Sequence, residues 1–258
     1  MTDGKTPKNG DKSFSKLFDI IEQIAQTRDG LKGNRIAALT GNPVSTTFRI
    51  LKFMTDRNWL LNQDGRYTLG PGLVRLGALA QEQNPLQKCA HAFLTELADR
   101  TMETVHLAVL RGAEVCYLDK VEGRRSVRMA SLIGSTAPVY CTGVGKAVLA
   151  YLPETERREI FPLIDFKSCT PSTLKNIEEL KKDLALVRRR GYALDNCEHE
   201  PGVCCIAAPI LSSDGCAVAG ISVSGSELYF RTRKAELARL VRETADGISA
   251  AFSGRHSM

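Results

Sequence analysis

The segment from Gly143 to Lys146 has the composition of an anion-binding turn at the start of a helix. It reads GVGK and leads into a helical pattern. The first N–H groups of a helix have no partner within the helix, and the helix dipole favours negative charge there. We therefore expect Gly143 and Val144 to bind a carboxylate or phosphate, although the glycines also suit a turn that holds no ligand. A nucleotide P-loop is excluded, because Ala147 replaces the Ser or Thr that the motif requires after its lysine.

Three polar side chains further along the chain lie on predicted strands and could hydrogen-bond such an anion. Ser222 and Ser224 alternate with the apolar Ile221 and Val223, so both hydroxyls face the same side of a strand. That side lines either a cavity or a solvent-facing surface. Asp195 ends another strand, where it either contacts a ligand or only belongs to a turn.

A second group of hydroxyls and cations lies in residues 33–52, which we predict to form two short helices separated by Gly41. The second helix has one apolar side and one polar side. Hydroxyls and cations on the polar side suit a recognition helix in a DNA major groove, but an ordinary amphipathic helix fits this stretch equally well. The predicted apolar side consists of Val44, Phe48, Leu51 and Thr55. The predicted DNA contacts in this helix are Ser45, Thr46, Thr47, Arg49 and Lys52.

The elements around these two helices favour DNA binding. A helix is predicted over residues 14–27, and two β-prone runs after the helix pair flank Asp64-Gly65, which predicts a hairpin. Three helices followed by this hairpin give the order of a winged helix–turn–helix. Arg66 at the wing contacts DNA or is a solvated turn cation. Residues 1–69 carry 11 Lys/Arg and 7 Asp/Glu, a net +4 of the total +6.

Composition limits the class of protein. Of 258 residues, 43% are hydrophobic and 25% charged, as in ordinary globular proteins. The apolar runs are short and the N-terminus lacks a signal core, so we expect a cytoplasmic protein with no membrane partner. The eight cysteines include no C-x-x-C pair, and we interpret most of them as small core residues.

Beyond residue 104 the apolar pattern alternates every second residue, with helical segments between the predicted hairpins. This arrangement is typical of an α+β domain with an antiparallel sheet. We therefore divide the chain into a disordered tail (1–13), a winged helix–turn–helix domain (14–75), a linker helix (76–88), a second domain (89–252) and a short tail (253–258).

Four segments in this order resemble the IclR family of bacterial transcriptional regulators. They are the winged motif and its linker LGPGLVRLGALA, then STAPVYCTGVGKAVLAYL, RRRGYALDNCEHEPGVCCIAAPI and AVAGISVSGS. The resemblance implies a winged helix–turn–helix joined to a GAF-like effector domain, whose central antiparallel sheet is flanked by helices. It also implies a homodimer or dimer of dimers on palindromic double-stranded DNA, controlled by a small organic, sugar or aromatic acid. Repression of a catabolic operon is the expected outcome, without catalysis, cofactor or metal.

The resemblance extends to single residues of the expected effector site. Gly143, Val144, Asp195 and the two serines match effector contacts in the family. Cys205 matches a pocket cysteine, and Met129 and Ala137 are expected to form an apolar wall. The predicted effector-binding set is therefore Met129, Ala137, Gly143, Val144, Asp195, Cys205, Ser222 and Ser224.

Two alternatives use residues that this interpretation leaves aside. The cysteines and histidines at positions 106, 197, 199, 204 and 205 could serve a metal- or redox-sensing regulator of similar architecture. They could also supply a thiolate–imidazole pair to a small-acid-binding enzyme, although no known catalytic spacing links them.

Overall fold

A computed structural model describes residues 11–125 and 131–255 of the chain. The chain divides into two compact units between Gln83 and Asn84. Most of the predicted N-terminal tail, the last three residues and the expected apolar-wall residue Met129 lie outside the described residues. No helix in the described ranges is long and apolar enough to cross a lipid bilayer.

The N-terminal unit is a helical domain with a small antiparallel sheet. Apolar side chains from α1, α2, α3 and β2 form its core, which includes the fully buried Ile20, Ile36, Leu51 and Leu60. Its elements in chain order are α1 (Asp11–Ala25), β1 (Leu31–Lys32), α2 (Gly33–Thr40), α3 (Val44–Thr55), β2 (Leu60–Gln63), β3 (Arg66–Leu69) and α4 (Pro71–Glu82).

The predicted wing is present as the β2–β3 hairpin. Asp64 and Gly65 form its turn, with φ angles of 53° and 77°. Two successive residues with positive φ are what a tight hairpin turn requires, and the Asp-Gly pair tolerates them. β3 also pairs with β1, which gives a three-stranded sheet of order β1-β3-β2. Helix, helix, recognition helix and wing therefore occur in the predicted order.

The inward side of α3 differs from the prediction. Thr47, Leu51 and Met54 are buried, whereas Val44 and Phe48 are 54% and 41% exposed. Thr47 tolerates burial because its hydroxyl donates to the carbonyl of Pro43, at 3.2 Å. The prediction that Thr47 contacts DNA is therefore wrong. A buried threonine with a local backbone partner cannot be distinguished from an exposed one by residue type.

The segment predicted as a linker helix contains a break. α4 ends at Glu82, and a new helix begins at Pro85. The side chain of Asn84 caps this second helix by accepting from the N–H of Gln87, at 3.1 Å. Proline at the first helical position suits such a start, because its missing N–H has no partner there in any case. Residues 76–88 therefore span the end of one helix and the start of another.

The C-terminal unit is an α+β domain with one six-stranded sheet. The strand order is β6-β5-β4-β9-β8-β7, and every neighbouring pair is antiparallel. The last helix extends three residues past the predicted domain end. The elements are α5 (Pro85–Thr101), β4 (Thr104–Arg111), β5 (Glu114–Val121), β6 (Thr136–Pro138), α6 (Gly143–Tyr151), α7 (Glu154–Ile160), α8 (Ile177–Arg190), β7 (Ala193–Asn196), β8 (Val203–Leu211), β9 (Ala217–Ser226) and α9 (Glu227–Arg255).

Two apolar cores lie on opposite faces of this sheet. α5 and α9 cover one face, where Leu94, Ile206 and Val241 are fully buried. α6 and α8 cover the other, where Leu149 and Leu180 are fully buried. Successive residues of a strand face opposite sides, so each strand contributes to both cores. On the sheet face that α6 covers, polar residues interrupt the apolar core near the start of α6.

Candidate functional site

The exposed side of α3 carries most of the predicted DNA contacts. Ser45, Arg49 and Lys52 are exposed, and Thr46 is half-buried. Lys52 forms an exposed ion pair with Asp56, at 3.4 Å, which a phosphate can replace at little cost. These side chains lie on the face opposite the core residues of α3, which is the arrangement that a recognition helix needs.

Arg66 lies at the first position of β3, next to the wing turn. Its side chain is exposed, and its Nη1 donates to the carbonyl of Gly30, at 3.3 Å. The remaining N–H groups of the guanidinium are accessible from solvent. The wing therefore presents a cation whose position is fixed by the domain itself, as a phosphate contact requires.

A cavity opens on the α6 face of the large sheet, and we call it the sheet cavity. It encloses about 400 Å³ including its open mouth. Its described lining residues are His106, Tyr117, Ser131, Thr142, Gly143, Val144, Asp195, His199, Glu200, Val203, Cys205, Ser222 and Ser224.

Strand pairing brings the polar lining residues together. Ser224 lies opposite Cys205 of β8, and Cys205 lies opposite Asp195 of β7. Ser222 lies opposite His106 of β4. These five positions share one face of the sheet, so they form a continuous polar surface on the floor of the cavity. The expectation that the two serines and Asp195 lie on one cavity wall agrees with this placement.

The start of α6 forms the opposite wall. Thr142 caps the helix by accepting from the N–H of Gly145, at 3.3 Å. A side chain at Gly145 would bring a Cβ within 2.4 Å of the carbonyl of Val139, so the turn needs glycine there. The N–H groups of Gly143 and Val144 belong to the first turn, where no intrahelical partner exists, and both residues line the cavity.

The titratable groups of the sheet cavity favour uncharged forms. Burial lowers the pKa of His106 to about 3, and the nearby positive charge of Lys120 adds to this effect. The imidazole is therefore neutral at neutral pH, with Nε2 2.8 Å from the hydroxyl of Ser131. Burial raises the pKa of Asp195 to about 7, against the opposing effect of a hydrogen bond from the N–H of Glu198. Burial also raises the pKa values of Tyr117 and Cys205.

A buried ionic cluster supports the cavity from behind. The ammonium of Lys146, which is fully buried on α6, lies 2.6 Å from both carboxylate oxygens of Glu198 and 2.9 Å from Asp183. Glu198 follows β7 in the loop that also supplies His199 and Glu200 to the cavity. The N–H of Glu198 donates to Asp195, at 2.7 Å. The cluster therefore fixes α6 and this loop to each other, and with them two walls of the cavity.

Two of the predicted effector residues do not line the described cavity. Ala137 is buried in β6 opposite Val115 and packs in the α6-side core, so its role as an effector contact stays a prediction. Met129 lies outside the described residues, so its role stays a prediction.

Sequence reasoning missed several lining residues. Thr142 carried a usable signal, since a threonine directly before a glycine-rich helix start is a typical N-cap. No local sequence signal marked His106, Tyr117 or Ser131, because their positions depend on the order and register of distant strands. His199, Glu200 and Val203 lie in or after the loop that follows Asp195.

The described residues contain no group of three or more His, Cys, Asp or Glu side chains arranged to hold a metal ion. The sheet divides the cysteines and histidines that suggested a metal sensor into two groups: His106, His199 and Cys205 line the sheet cavity, and Cys197 and Cys204 pack on the other face.

Comparison with known families and proteins assigns the chain. Residues 13–64 match the IclR helix-turn-helix domain, and residues 78–250 match the family described as the C-terminal domain of the bacterial transcriptional regulator IclR. The chain belongs to the IclR family. It is 34% identical over 229 residues to the HTH-type transcriptional regulator XynR of Escherichia coli strain K12, covering 88% of this chain and 90% of XynR. It is 35% identical over 248 residues to the HTH-type transcriptional repressor AllR of the same strain, covering 95% and 92%.

Solved IclR structures share the fold. The Thermotoga maritima IclR superposes with a TM-score of 0.83 at 33% identity, covering 94% of this chain and 99% of that one. An IclR homolog of Microbacterium hydrocarbonoxydans, complexed with 4-hydroxybenzoate, superposes with a TM-score of 0.80 at 24% identity, covering 94% and 99%. The predicted family and fold are thus confirmed. This IclR-family chain is a DNA-binding transcriptional regulator and not an enzyme.

Proposed function

We propose that this regulator is a repressor whose affinity for its operator is controlled by a small organic or sugar acid bound in the sheet cavity. The observation that carries the proposal is the combination of neutral hydrogen-bonding groups with the start of α6 in one small cavity. A carboxylate bound at Gly143 and Val144 would accept from backbone N–H groups and gain from the helix dipole. Ser222, Ser224 and Asp195 would bind the hydroxyl or keto groups of the same molecule.

The lack of an unpaired cation in the described cavity lining supports a small, weakly held metabolite. Lys146 lies behind the wall, but its charge is already offset by Glu198 and Asp183. Binding therefore depends on oriented dipoles and hydrogen bonds, which recognise shape as well as charge. The Microbacterium homolog, which holds 4-hydroxybenzoate, shows that a protein of this fold can bind a small carboxylic acid.

A homodimer or dimer of dimers is the proposed DNA-binding form. α4 has no buried residue, yet Val74, Leu76 and Leu79 are 74%, 40% and 40% exposed on it. A helix with apolar side chains and no buried face needs a partner. A second copy of the same helix would bury this surface and place two winged domains on a palindromic site.

Control of DNA binding then follows as a shift between two arrangements of the dimer. The acid binds one arrangement more tightly than the other, and the two arrangements separate the wings by different distances. Ser45, Thr46, Arg49, Lys52 and Arg66 are the proposed DNA contacts. The proposed acid contacts are Gly143, Val144, Asp195, Cys205, Ser222 and Ser224, with Met129 retained as a possible wall residue.

A thermal-unfolding screen against sugar, keto and aromatic acids tests the proposal. An acid present at 100 times its dissociation constant should stabilise the native state by about 2.7 kcal/mol. The Ser222→Ala variant should lose this stabilisation while its unliganded stability stays close to wild type. An acid that stabilises wild type and variant equally would place the binding site elsewhere.

A further inference from the structure

The thiols of Cys197 and Cys204 lie next to each other on the face of the sheet opposite the sheet cavity. Their sulfur atoms are 3.1 Å apart, whereas a disulfide bond is about 2.0 Å long. Cys204 lies in β8 directly opposite Asn196 of β7, and Cys197 is the residue after Asn196. The backbone pairing therefore holds the two side chains as diagonal neighbours, and a movement of about 1 Å would join them.

Both thiols are within reach of a small solute. Cys197 is half-buried on the loop after β7. Cys204 is buried, but it lines a second cavity of about 730 Å³, open mouth included, between the outer strands and the start of α9. We call this the edge cavity. Arg231, near the start of α9, is among its described lining residues.

We propose that Cys197 and Cys204 form a redox-active dithiol, which hydrogen peroxide converts to a disulfide that fixes the loop between β7 and β8. The disulfide does not depend on the function proposed above. Its consequence for acid binding does rest on that function, because this loop supplies His199 and Glu200 to the wall of the sheet cavity.

The two sulfurs have different roles in this reaction. Burial and, to a smaller extent, the hydrogen bond with Cys197 raise the pKa of Cys204 to about 12, so Cys204 keeps its proton. That proton can be donated to the sulfur of Cys197. The guanidinium of Arg231, which lines the edge cavity, lies within electrostatic range of both sulfurs. Cys197, the more accessible sulfur, is therefore the one that attacks the oxidant.

Oxidation of the two thiols needs no reactant other than hydrogen peroxide. The thiolate of Cys197 attacks one oxygen of hydrogen peroxide, the O–O bond breaks, and the product is a sulfenic acid with hydroxide leaving. The thiol of Cys204 gives its proton to that hydroxide, which becomes water. Its sulfur then attacks the sulfur of Cys197 and displaces the sulfenic hydroxyl, which leaves as water with the proton that Cys197 released earlier. Two thiols and one peroxide give one disulfide and two water molecules.

The bond would change the mobility of one wall of the sheet cavity. The loop is already held at Glu198 by Lys146, and the carbonyl of Cys197 accepts from the hydroxyl of Thr170, at 2.6 Å. A disulfide at Cys197 would join the start of the loop covalently to β8. Opening of the loop, and with it exchange of an acid through that wall, should then become slower.

Peptide mapping of peroxide-treated, full-length protein tests the disulfide directly. We expect two of the eight free thiols to become unavailable to an alkylating reagent, and the linked peptides to contain Cys197 and Cys204. Cys141 and Cys169 also lie within interaction distance of each other. A native protein that keeps all its thiols, or that links only Cys141 to Cys169, would overturn the proposal.

Hydrogen–deuterium exchange tests the effect on the loop without any acid, so its outcome cannot be confused with failure of the proposed function. Exchange of the amides in residues 195–203 should slow on oxidation of wild type and recover with a reductant. Cys197→Ala and Cys204→Ala should each abolish the change, whereas Cys169→Ser, on an exposed thiol, should retain it. Slowing that persists in either alanine variant, or that is lost in Cys169→Ser, would contradict the assignment.

Discussion

Asp195 is the single residue whose environment most strongly sets the chemistry of the sheet cavity. It is buried, one carboxylate oxygen accepts from the N–H of Glu198, and its pKa is raised to about 7. A protonated carboxyl can donate to a keto or hydroxyl oxygen of the bound acid, whereas the ionised form would repel the carboxylate of that acid. Proton uptake and binding of an acid should therefore be coupled at this residue.

This coupling predicts a pH dependence with a definite sign. Affinity of wild type for an acid should be constant below pH 7 and fall by about tenfold per unit above it. The raised pKa also means that the folded state binds a proton which the unfolded state has already lost. Asp195 therefore makes native stability fall as pH rises from about 4 to 7. Calorimetric titration of Asp195→Asn with the acid should show no such pH dependence of affinity, and the native stability of this variant should lack the fall that Asp195 causes between pH 4 and 7. Wild-type pH profiles in the variant would contradict a neutral Asp195.

Arg49 provides the corresponding test on the DNA-binding side. It is exposed on α3, between Ser45 and Lys52 on the polar face. Arg49→Ala should weaken operator binding by about 1–3 kcal/mol if it contacts a base edge, and should reduce the salt dependence if it contacts a phosphate. Fluorescence anisotropy on labelled operator measures both. Arg189→Ala, an exposed arginine of α8, is the matched control and should have little effect.

Residues placed by local geometry could be predicted from the sequence, whereas residues placed by pairing of distant strands could not. Ser222 and Ser224 were predictable as a pair, because alternation along one strand requires only local geometry. His106 lies beside them because β4 pairs with β9, more than a hundred residues later, and no local pattern reports that pairing. The prediction for Thr47 was wrong although its hydrogen bond is local. The hydroxyl donates to the carbonyl of Pro43, and an exposed threonine on a helix can make the same bond, so the sequence does not report its burial.

At the scale of elements, the ionic cluster of Lys146 joins α6 to the loop after β7. A buried cation held by Glu198 and Asp183 adds directionality to what would otherwise be an apolar contact. Burial raises the pKa of Glu198, while the ammonium of Lys146 lowers it. Both walls of the sheet cavity thus depend on one set of charges, and disturbing it should affect stability and acid binding together.

Replacing Lys146 with methionine tests this support. The change leaves the buried carboxylate of Glu198 and the half-buried carboxylate of Asp183 facing an apolar side chain, and should destabilise the native state by about 3–5 kcal/mol. Urea unfolding gives the free energy. Lys182→Met, on the exposed face of α8, is the control and should cost far less. Adding Glu198→Gln to the Lys146 variant should recover part of the loss. Equal stability of the two single variants would show that the cluster contributes nothing.

Element prediction succeeded where local rules are strict. The wing was identifiable from Asp64-Gly65, because few residue pairs tolerate two positive φ angles. The break within residues 76–88 also rests on a local signal. Asn84 caps the new helix and Pro85 occupies its first position, where the missing N–H has no partner in any case.

At the scale of the whole molecule, the exposed apolar side of α4 supports the proposed association with a second copy of the chain. Leu76→Asp would place a charge on this surface and should convert dimers to monomers in sedimentation experiments. Operator affinity should fall with it, since a monomer contacts only one half-site. Gln81→Asp, at a polar position of the same helix, is the control and should leave the dimer intact. A dimeric Leu76→Asp variant would exclude α4 as the interface.

The central claim is that occupation of the sheet cavity changes the affinity of the winged domains for DNA. The most direct measurement is the dissociation constant for operator DNA, recovered by selection from genomic fragments, with and without a saturating acid from the thermal screen. Wild type should show a change of about fivefold or more, in the range of known allosteric couplings. Ser222→Ala should keep the acid-free affinity and lose the change. The same response in both proteins would contradict the claim.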